Sequence, residues 1–393
     1  MLFDKLFGKK KNRTQDHIPE SSTPEGSDDV FEPEDVITQH SKELFKQSTE
    51  TISLDEALKR YTPDFVPTTS MDRDLRQKLI LYGNALGDIS GSKYEGRPFP
   101  GLSVSEYNKI MSNKSLRSKD EGAYPVYEGW KDIDLFSPEH HFTDDTVMTI
   151  AVYKATQTIL HNNIVDEDAI IRTYTTFLKH YYSLYPDAGF ARGFENWAMR
   201  DTDERNFSFG NGACMRVGGI AVLCDDIHDV IKYAYYSAVP SHSHAEGIKG
   251  AVCTAVVYWM LVHGASKQDV LDYIKKQYPV DNGEKINGAT TLQDLIDMNR
   301  VNPWSTLSVV CQTSLVEAVI NFISSESFED CLRAGYKYLS DTDTISAIAA
   351  PMAAIFYKDI SIKDPLDDYK TSLPGEALIH DYLDERLLAD INS

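Results

Sequence analysis

Apolar residues recur at three- and four-residue spacing through most of the stretch from residue 74 to residue 357, and no other feature constrains the fold as tightly. That spacing puts them on one face of a 3.6-residue helix. It predicts helices over 74–87, 146–160, 167–185, 213–223, 226–238, 244–262, 305–323, 328–338 and 345–357, with a last one over 376–389. Sustained alternation of apolar and polar residues, the mark of a half-buried strand, is missing. The expected fold class is therefore all-α, a compact multi-helix domain. Residues 361–375, with Pro365 and Pro374, read as a surface loop. At 42 % hydrophobic residues over 393 positions, the chain can bury a substantial core. No apolar run approaches the roughly 18 residues of a membrane span. Nor does the start carry the apolar stretch of a secretory signal.

The folded domain is expected to occupy 70–393. Residues 1–69 read as an N-terminal extension, largely disordered. Residues 1–13 make a short amphipathic start in which Phe3, Leu6 and Phe7 can share a face. Residues 14–36 hold eight acidic residues and no Lys or Arg, a composition too polar to fold alone. A short helix is expected at 53–60, where Ser53 and Glu56 have capping-box spacing. Pro63 and Pro67 then break the chain.

Sixty acidic against 39 basic residues give a net charge of −21. Such a balance excludes a general nucleic-acid or anionic-membrane binder, which needs Lys and Arg to neutralise phosphates. The five cysteines, Cys214, Cys224, Cys253, Cys311 and Cys331, are odd in number, form no CxxC and sit in apolar segments. They read as reduced, buried thiols of a cytoplasmic protein.

Several clusters can carry chemistry. Thr143-Asp144-Asp145-Thr146 stands directly before an apolar helix, and Asp341-Thr342-Asp343-Thr344 does the same before Ile345. Each alone is explained as a helix cap. Two such clusters in one helical domain suggest a joint site, where four carboxylates repel unless cations neutralise them. Oxygen ligands select hard ions such as Mg²⁺, Mn²⁺ or Ca²⁺. A third cluster, Ser208-Phe209-Gly210-Asn211-Gly212-Ala213, opens a helix with Met215 and Arg216; its glycines and free amides suit a phosphate. A fourth, Gly83-Asn84-Ala85-Leu86-Gly87-Asp88-Ile89-Ser90-Gly91, has small residues at four-residue spacing for close helix packing, with Asp88 and Glu95 as acidic extras. The fifth, His242-Ser243-His244, lacks the further ligands of a zinc site.

In this order the five pieces resemble the ADP-ribosylglycohydrolase family over about 70–357. The family's Gly-Asp-Ala-x-Gly is here Gly87-Asp88-Ile89-Ser90-Gly91, with Glu95 following. Its Thr-Asp-Asp matches 143–145, its Gly-Asn-Gly-Ala-x-Met-Arg matches 210–216, and its Asp-Thr-Asp-Thr matches 341–344. The resemblance implies that Thr143, Asp144, Asp145, Asp341, Asp343 and Thr344 ligate two Mg²⁺ or Mn²⁺ ions. It implies that Asp88, Ser208, Gly210, Asn211, Gly212, Met215, His242, Ser243 and His244 hold ADP-ribose. Glu95 falls where some relatives carry a mobile catalytic glutamate. The chain departs from the family at Ser92-Lys93-Tyr94, at Leu339-Ser340 where two glycines are usual, and at Pro351 inside a helix.

The expected activity is metal-dependent removal of ADP-ribose from protein side chains, arginine being favoured. The metals would position a water, and Asp145 or Glu95 would act as acid or base at an oxocarbenium-like anomeric carbon. Two other roles stay open at this point. One is an immunity protein whose acidic arm blocks an ADP-ribosyltransferase toxin; the other is a different metal hydrolase, such as a phosphatase.

Overall fold

Residues 51–95, 128–278, 309–337, 341–363 and 372–393 are described by the structure, a computed structural model of the chain. Helix α1 (Leu54–Tyr61) forms where the capping spacing predicts it, with Ser53 Oγ accepting the Glu56 amide. It is packed onto helices of the domain that follows residue 70. Ile52 and Tyr61 are buried. Tyr235 OH donates to the Ile52 carbonyl and Tyr273 OH to the Tyr61 carbonyl. Polarity around Pro63 and Pro67 hides these anchors in the sequence. The amphipathic start, the acidic 14–36 arm and the toxin contact assigned to it lie outside the described residues.

Next come α2 (Arg73–Gln77), a π-turn (Lys78–Tyr82) and α3 (Gly83–Ser92), continuous and longer than the expected 74–87. α4 (Asp144–His161), α5 (Glu167–Leu184), α6 (Arg192–Ala198), α7 (Gly218–Leu223), α8 (Ile227–Ala238) and α9 (Ala245–Val262) follow. Then come α10 (Lys267–Gln277), α11 (Cys311–Ser324), α12 (Phe328–Ala334) and α13 (Thr342–Tyr357). The chain closes with β1 (Ile362–Lys363), β2 (Ser372–Leu373), α14 (Gly375–Tyr382) and α15 (Glu385–Asn392). The fold class is all-α, as expected. Its described strands are only this antiparallel pair, in the stretch read as a loop. α6 and α10 went unforeseen. α10 had a signal, since Ser266 and Asp269 form a full capping box. The expected last helix is two, because Asp384 caps α15 by accepting the Leu387 amide.

α9 is, by length and composition, apolar enough to cross a membrane, which corrects the expectation that no segment is. Glu246 and Lys249 interrupt its apolar run near the start. Most of the segment is buried inside the protein, against α8, α11 and α13, so it serves as a core helix. All five cysteines are buried and unpaired.

The contact that positions the site is α3 on α13. A Cβ on Gly87 would lie 2.3 Å from the Ser346 carbonyl oxygen, and one on Gly91 2.3 Å from Asp343 Cα. Glycine at both positions, one turn apart, lets the two backbones touch. Thr342 Oγ1 donates to the Gly91 carbonyl at 3.0 Å. Pro351, the departure inside α13, is accommodated by the same contact. It supplies no N–H to the Ala347 carbonyl four residues earlier. Asn84 Nδ2 donates to that carbonyl instead, at 3.1 Å, and also to the Met215 carbonyl at 3.0 Å. Gly83 leaves room for the ring, since a Cβ there would be 3.3 Å from Pro351 Cα.

Candidate active site

Two helix N-termini and the C-terminal end of α3 bring the acids together. α4 begins at Thr143, the N-cap, and α13 at Asp341. Beneath them Asp88, fully buried on α3, receives four hydrogen bonds. Thr143 gives its amide at 2.9 Å and its hydroxyl at 2.7 Å. Thr146 gives its amide at 3.0 Å and its hydroxyl too. Asp88 therefore holds the start of α4 in place. Thr146 stands in the sequence cluster without a site role; its signal is its place one turn after Thr143, where both can face one acceptor.

Carboxylate oxygens of Asp88, Asp145 and Asp343 lie within 4.8 Å of one another, and so do those of Glu95, Asp341 and Asp343. The two groups share Asp343. Thr344 Oγ1 donates to Asp145 Oδ2 at 3.1 Å, and Asn211 Nδ2 to Asp341 Oδ2 at 2.6 Å. Asp145 Oδ1 is buried without a hydrogen-bond partner. Asp144 is half-buried and belongs to neither group. Glu95 opens to solvent. An oxygen-only donor set with one buried oxygen unpaired fits a hard divalent cation.

The charges explain why the cluster invites one. Burial pushes Asp145 and Asp343 well above the usual carboxylate range, and the charge of Asp343 on Asp145, and of Asp341 on Asp343, pushes further. Burial and then the Glu95 charge raise Asp341 to about 7. The Asp343 charge, above all, raises Glu95 to about 9. Burial and then Glu95 lift Asp144 as well. Burial also raises Asp88, while its threonine donors pull the other way.

Asn211 links this cluster to the glycine loop. The loop is a 3₁₀ turn (Asn211–Ala213) stitched to the start of α11. Of the amides expected to meet a diphosphate, Gly210's donates to Ser208 Oγ at 3.0 Å and Asn211's to the Val309 carbonyl at 2.8 Å. These two serve the loop. Gly212 faces His242, whose Nε2 would lie 3.2 Å from a Cβ there. Burial, then the Arg216 charge, holds the His242 imidazole well below its usual range, so it is neutral. Ser243 Oγ donates to the Asn206 carbonyl. His244 caps α9 by accepting the Glu246 amide, and its ring meets Phe207 and Phe209 at 4.8 and 5.1 Å. Met215 is buried, its carbonyl taken by Asn84 and Thr149. The substrate residues expected from sequence thus form one neighbourhood beside the acids, except that Asp88 and Met215 lie beneath it.

Residues 70–390 match the family model described as ADP-ribosylglycohydrolase. The chain is 24 % identical to ADP-ribosylhydrolase ARH3 of Mus musculus over 70 % of its own length and 82 % of the relative's. It is likewise 24 % identical to that of Xenopus tropicalis, over 75 % and 90 %. The Homo sapiens protein of that name is 27 % identical over 48 % of this chain and 50 % of the other. A solved chain described as an ADP-ribosylglycohydrolase-related protein complex aligns over 72 % of this chain and 88 % of that one, at 18 % identity and TM-score 0.47. Every site residue described above falls inside the matched span, and the chain belongs to the ADP-ribosylglycohydrolase family.

Proposed function

We propose that this protein is a metal-dependent hydrolase that removes ADP-ribose from modified protein side chains. The observation that carries the reading is the pair of carboxylate groups sharing Asp343, in the family to which the chain belongs. Two Mg²⁺ or Mn²⁺ ions would be held by Thr143, Asp144 and Asp145 from α4 and by Asp341, Asp343 and Thr344 from α13. Bound there, they would polarise the ribose hydroxyls and lower the pKa of a water.

The protein's own groups divide the remaining work. Asp88 fixes the start of α4, and Asn211 fixes Asp341, so neither ligand set needs to reorganise when substrate arrives. Asp145 is buried and bonded to Thr344, which suits a ligand. Glu95 is open to solvent beside Asp341 and Asp343, which suits the acid or base at the anomeric carbon, where positive charge develops as the bond to the side chain breaks. Gly212, Ser208 and the His242–His244 turn form the floor on which the diphosphate and adenosine would rest. Arginine is the modified side chain we favour, because a cationic guanidinium suits a protein of charge −21.

The test offers arginine- and serine-ADP-ribosylated proteins to the enzyme, with Mg²⁺ or with chelator. Free ADP-ribose, released only with metal and faster from arginine, is the expected outcome. Release from serine alone would overturn the side-chain assignment. Release of phosphate without ADP-ribose would overturn the reaction.

A further inference from the structure

We infer that Lys93 is a positioning residue that holds Glu95 at the acidic cluster through an ionic clasp to the segment leading into Thr143-Asp144-Asp145; the inference rests on the hydrolase reading for its catalytic consequence, but not for its geometry. Lys93 lies just past the end of α3, two residues before Glu95. Its ammonium stands 2.8 Å from Glu139 Oε2 and 3.5 Å from Asp134 Oδ2, and donates to Ser137 Oγ at 3.2 Å. All three partners belong to one stretch, which runs on into α4 and its acids. The same two segments are fastened on either side of Lys93. Tyr94 OH donates to the Asp134 carbonyl at 2.9 Å, and the His141 amide to Ser92 Oγ at 3.0 Å.

The stretch is itself anchored from behind. Arg333 Nη1 on α12 donates to the Ile133 carbonyl at 2.7 Å, and Tyr382 OH on α14 to the Ser137 carbonyl at 3.1 Å. The anchor is fixed by the core, and residues 92–94 are tied to it. Glu95 follows them at the solvent side, and its place beside Asp341 and Asp343 is set by where Lys93 is held. An ion pair this open contributes little to global stability. Its work is local, and a local effect separates from melting temperature.

The experiment uses the full chain with Mn²⁺ as probe and the variants Lys93→Met, Lys93→Arg, Lys93→Glu and Lys93→Glu/Glu139→Lys. It measures amide exchange at residues 93–95 without metal, Mn²⁺ affinity by calorimetry, kcat and KM for an ADP-ribosylated protein, and melting temperature. Lys93→Met should speed exchange and lower kcat by about tenfold each, with KM nearly unchanged, a modest share of what a displaced acid or base costs, and it should weaken Mn²⁺ because the Glu95 charge sits with Asp341 and Asp343 in one carboxylate group. Lys93→Arg and the charge-swapped pair should recover most of each loss, while Lys93→Glu alone should not. Wild-type exchange and Mn²⁺ affinity in Lys93→Met would overturn the inference. So would losses that track a common fall in melting temperature across all variants. If the parent protein releases no ADP-ribose but exchange and Mn²⁺ affinity respond as stated, the hydrolase reading falls and the clasp stands.

Discussion

Gly91→Ala asks whether the closeness of α3 and α13 builds the acidic cluster. A Cβ at residue 91 meets Asp343 Cα at 2.3 Å and its amide nitrogen at 2.4 Å, where ordinary contact begins at 3.4 Å. The helices must therefore part by 3.4 − 2.3 = 1.1 Å, because the obstacle is backbone and cannot swing aside. Overpacking of this kind costs about 1–3 kcal/mol. Alanine's better helix propensity returns up to about 1 kcal/mol. The net of about 0–2 kcal/mol lowers the melting temperature of a domain this large by no more than about 4 °C. Activity should suffer far more. The displaced residue is Asp343, shared by both carboxylate groups, and a misplacement of about 1 Å costs on the order of 100-fold in rate. Gly193→Ala is the control, since a Cβ on that α6 glycine meets nothing within 4 Å. Calorimetric melting and Mg²⁺-dependent ADP-ribose release measure the two effects. Turnover in Gly91→Ala above half the parent value would refute the argument that the glycine contact sets the geometry.

Three further outcomes are expected. Asp343→Asn keeps an acceptor for the Thr344 amide but removes the shared charge, so it should melt higher than the parent in chelator, release no ADP-ribose, and lose the stabilisation of about 2.7 kcal/mol that Mg²⁺ at a hundredfold excess over Kd should give the parent. A parent-like Mg²⁺ shift in this variant would place the metal elsewhere. The pH profile of the metal-free protein has a definite sign. Asp341 and Glu95 titrate near 7 and 9 when folded and near 4 when unfolded, so the folded state holds extra protons between, and stability present below that range is lost as pH rises through 7 and then 9. Melting temperature in chelator should fall over that interval and flatten with saturating Mg²⁺; a level metal-free profile contradicts the clustered charges. Deleting residues 1–50 should spare ADP-ribose release, whereas deleting 1–69 strips Ile52 and Tyr61 from the core at about 1.5–3 kcal/mol each, enough to melt the domain several degrees lower in the same scan. Equal melting of the two truncations would show that the domain needs nothing before residue 70.

Helix periodicity made α4, α5, α8 and α9 legible to within a residue or two, because α5 and α8 bury one broad apolar face and α4 and α9 are long apolar helices buried nearly all round. It failed at α6, whose Arg192–Ala198 turn is too short for a period to show. It also failed at α10, where the Ser266–Asp269 cap is a better signal than the polar face behind it. The acids at the starts of α4 and α13 were legible as a joint site because carboxylates on helix caps are local and their repulsion is a general rule. What could not be read was the layer beneath. Asp88 looks like one more ligand-facing acid until Thr143 and Thr146 are seen to use its oxygens, and Met215 reads as part of the ligand loop although only its carbonyl is engaged. Partners 55 or 58 positions away in the chain leave no trace in spacing. The Gly210 and Asn211 amides read as ligand donors for the same reason, their protein acceptors being invisible without the turn.

The arrangement around Pro351 makes the order of mutations matter. While proline stands there, the Ala347 carbonyl depends on Asn84, and replacing Asn84 by leucine orphans that buried acceptor, whereas the Met215 carbonyl keeps its bond from Thr149. Alanine at 351 restores an amide to the helix ladder and frees Ala347 from that dependence. A lineage carrying Asn84 is free to acquire or shed the proline, but one that has acquired it is closed to changes at 84 until the proline is gone. Position 84 is therefore expected to tolerate change only where 351 is not proline, a dependence between two sites 267 positions apart in sequence (351 − 84) that meet at the Ala347 carbonyl.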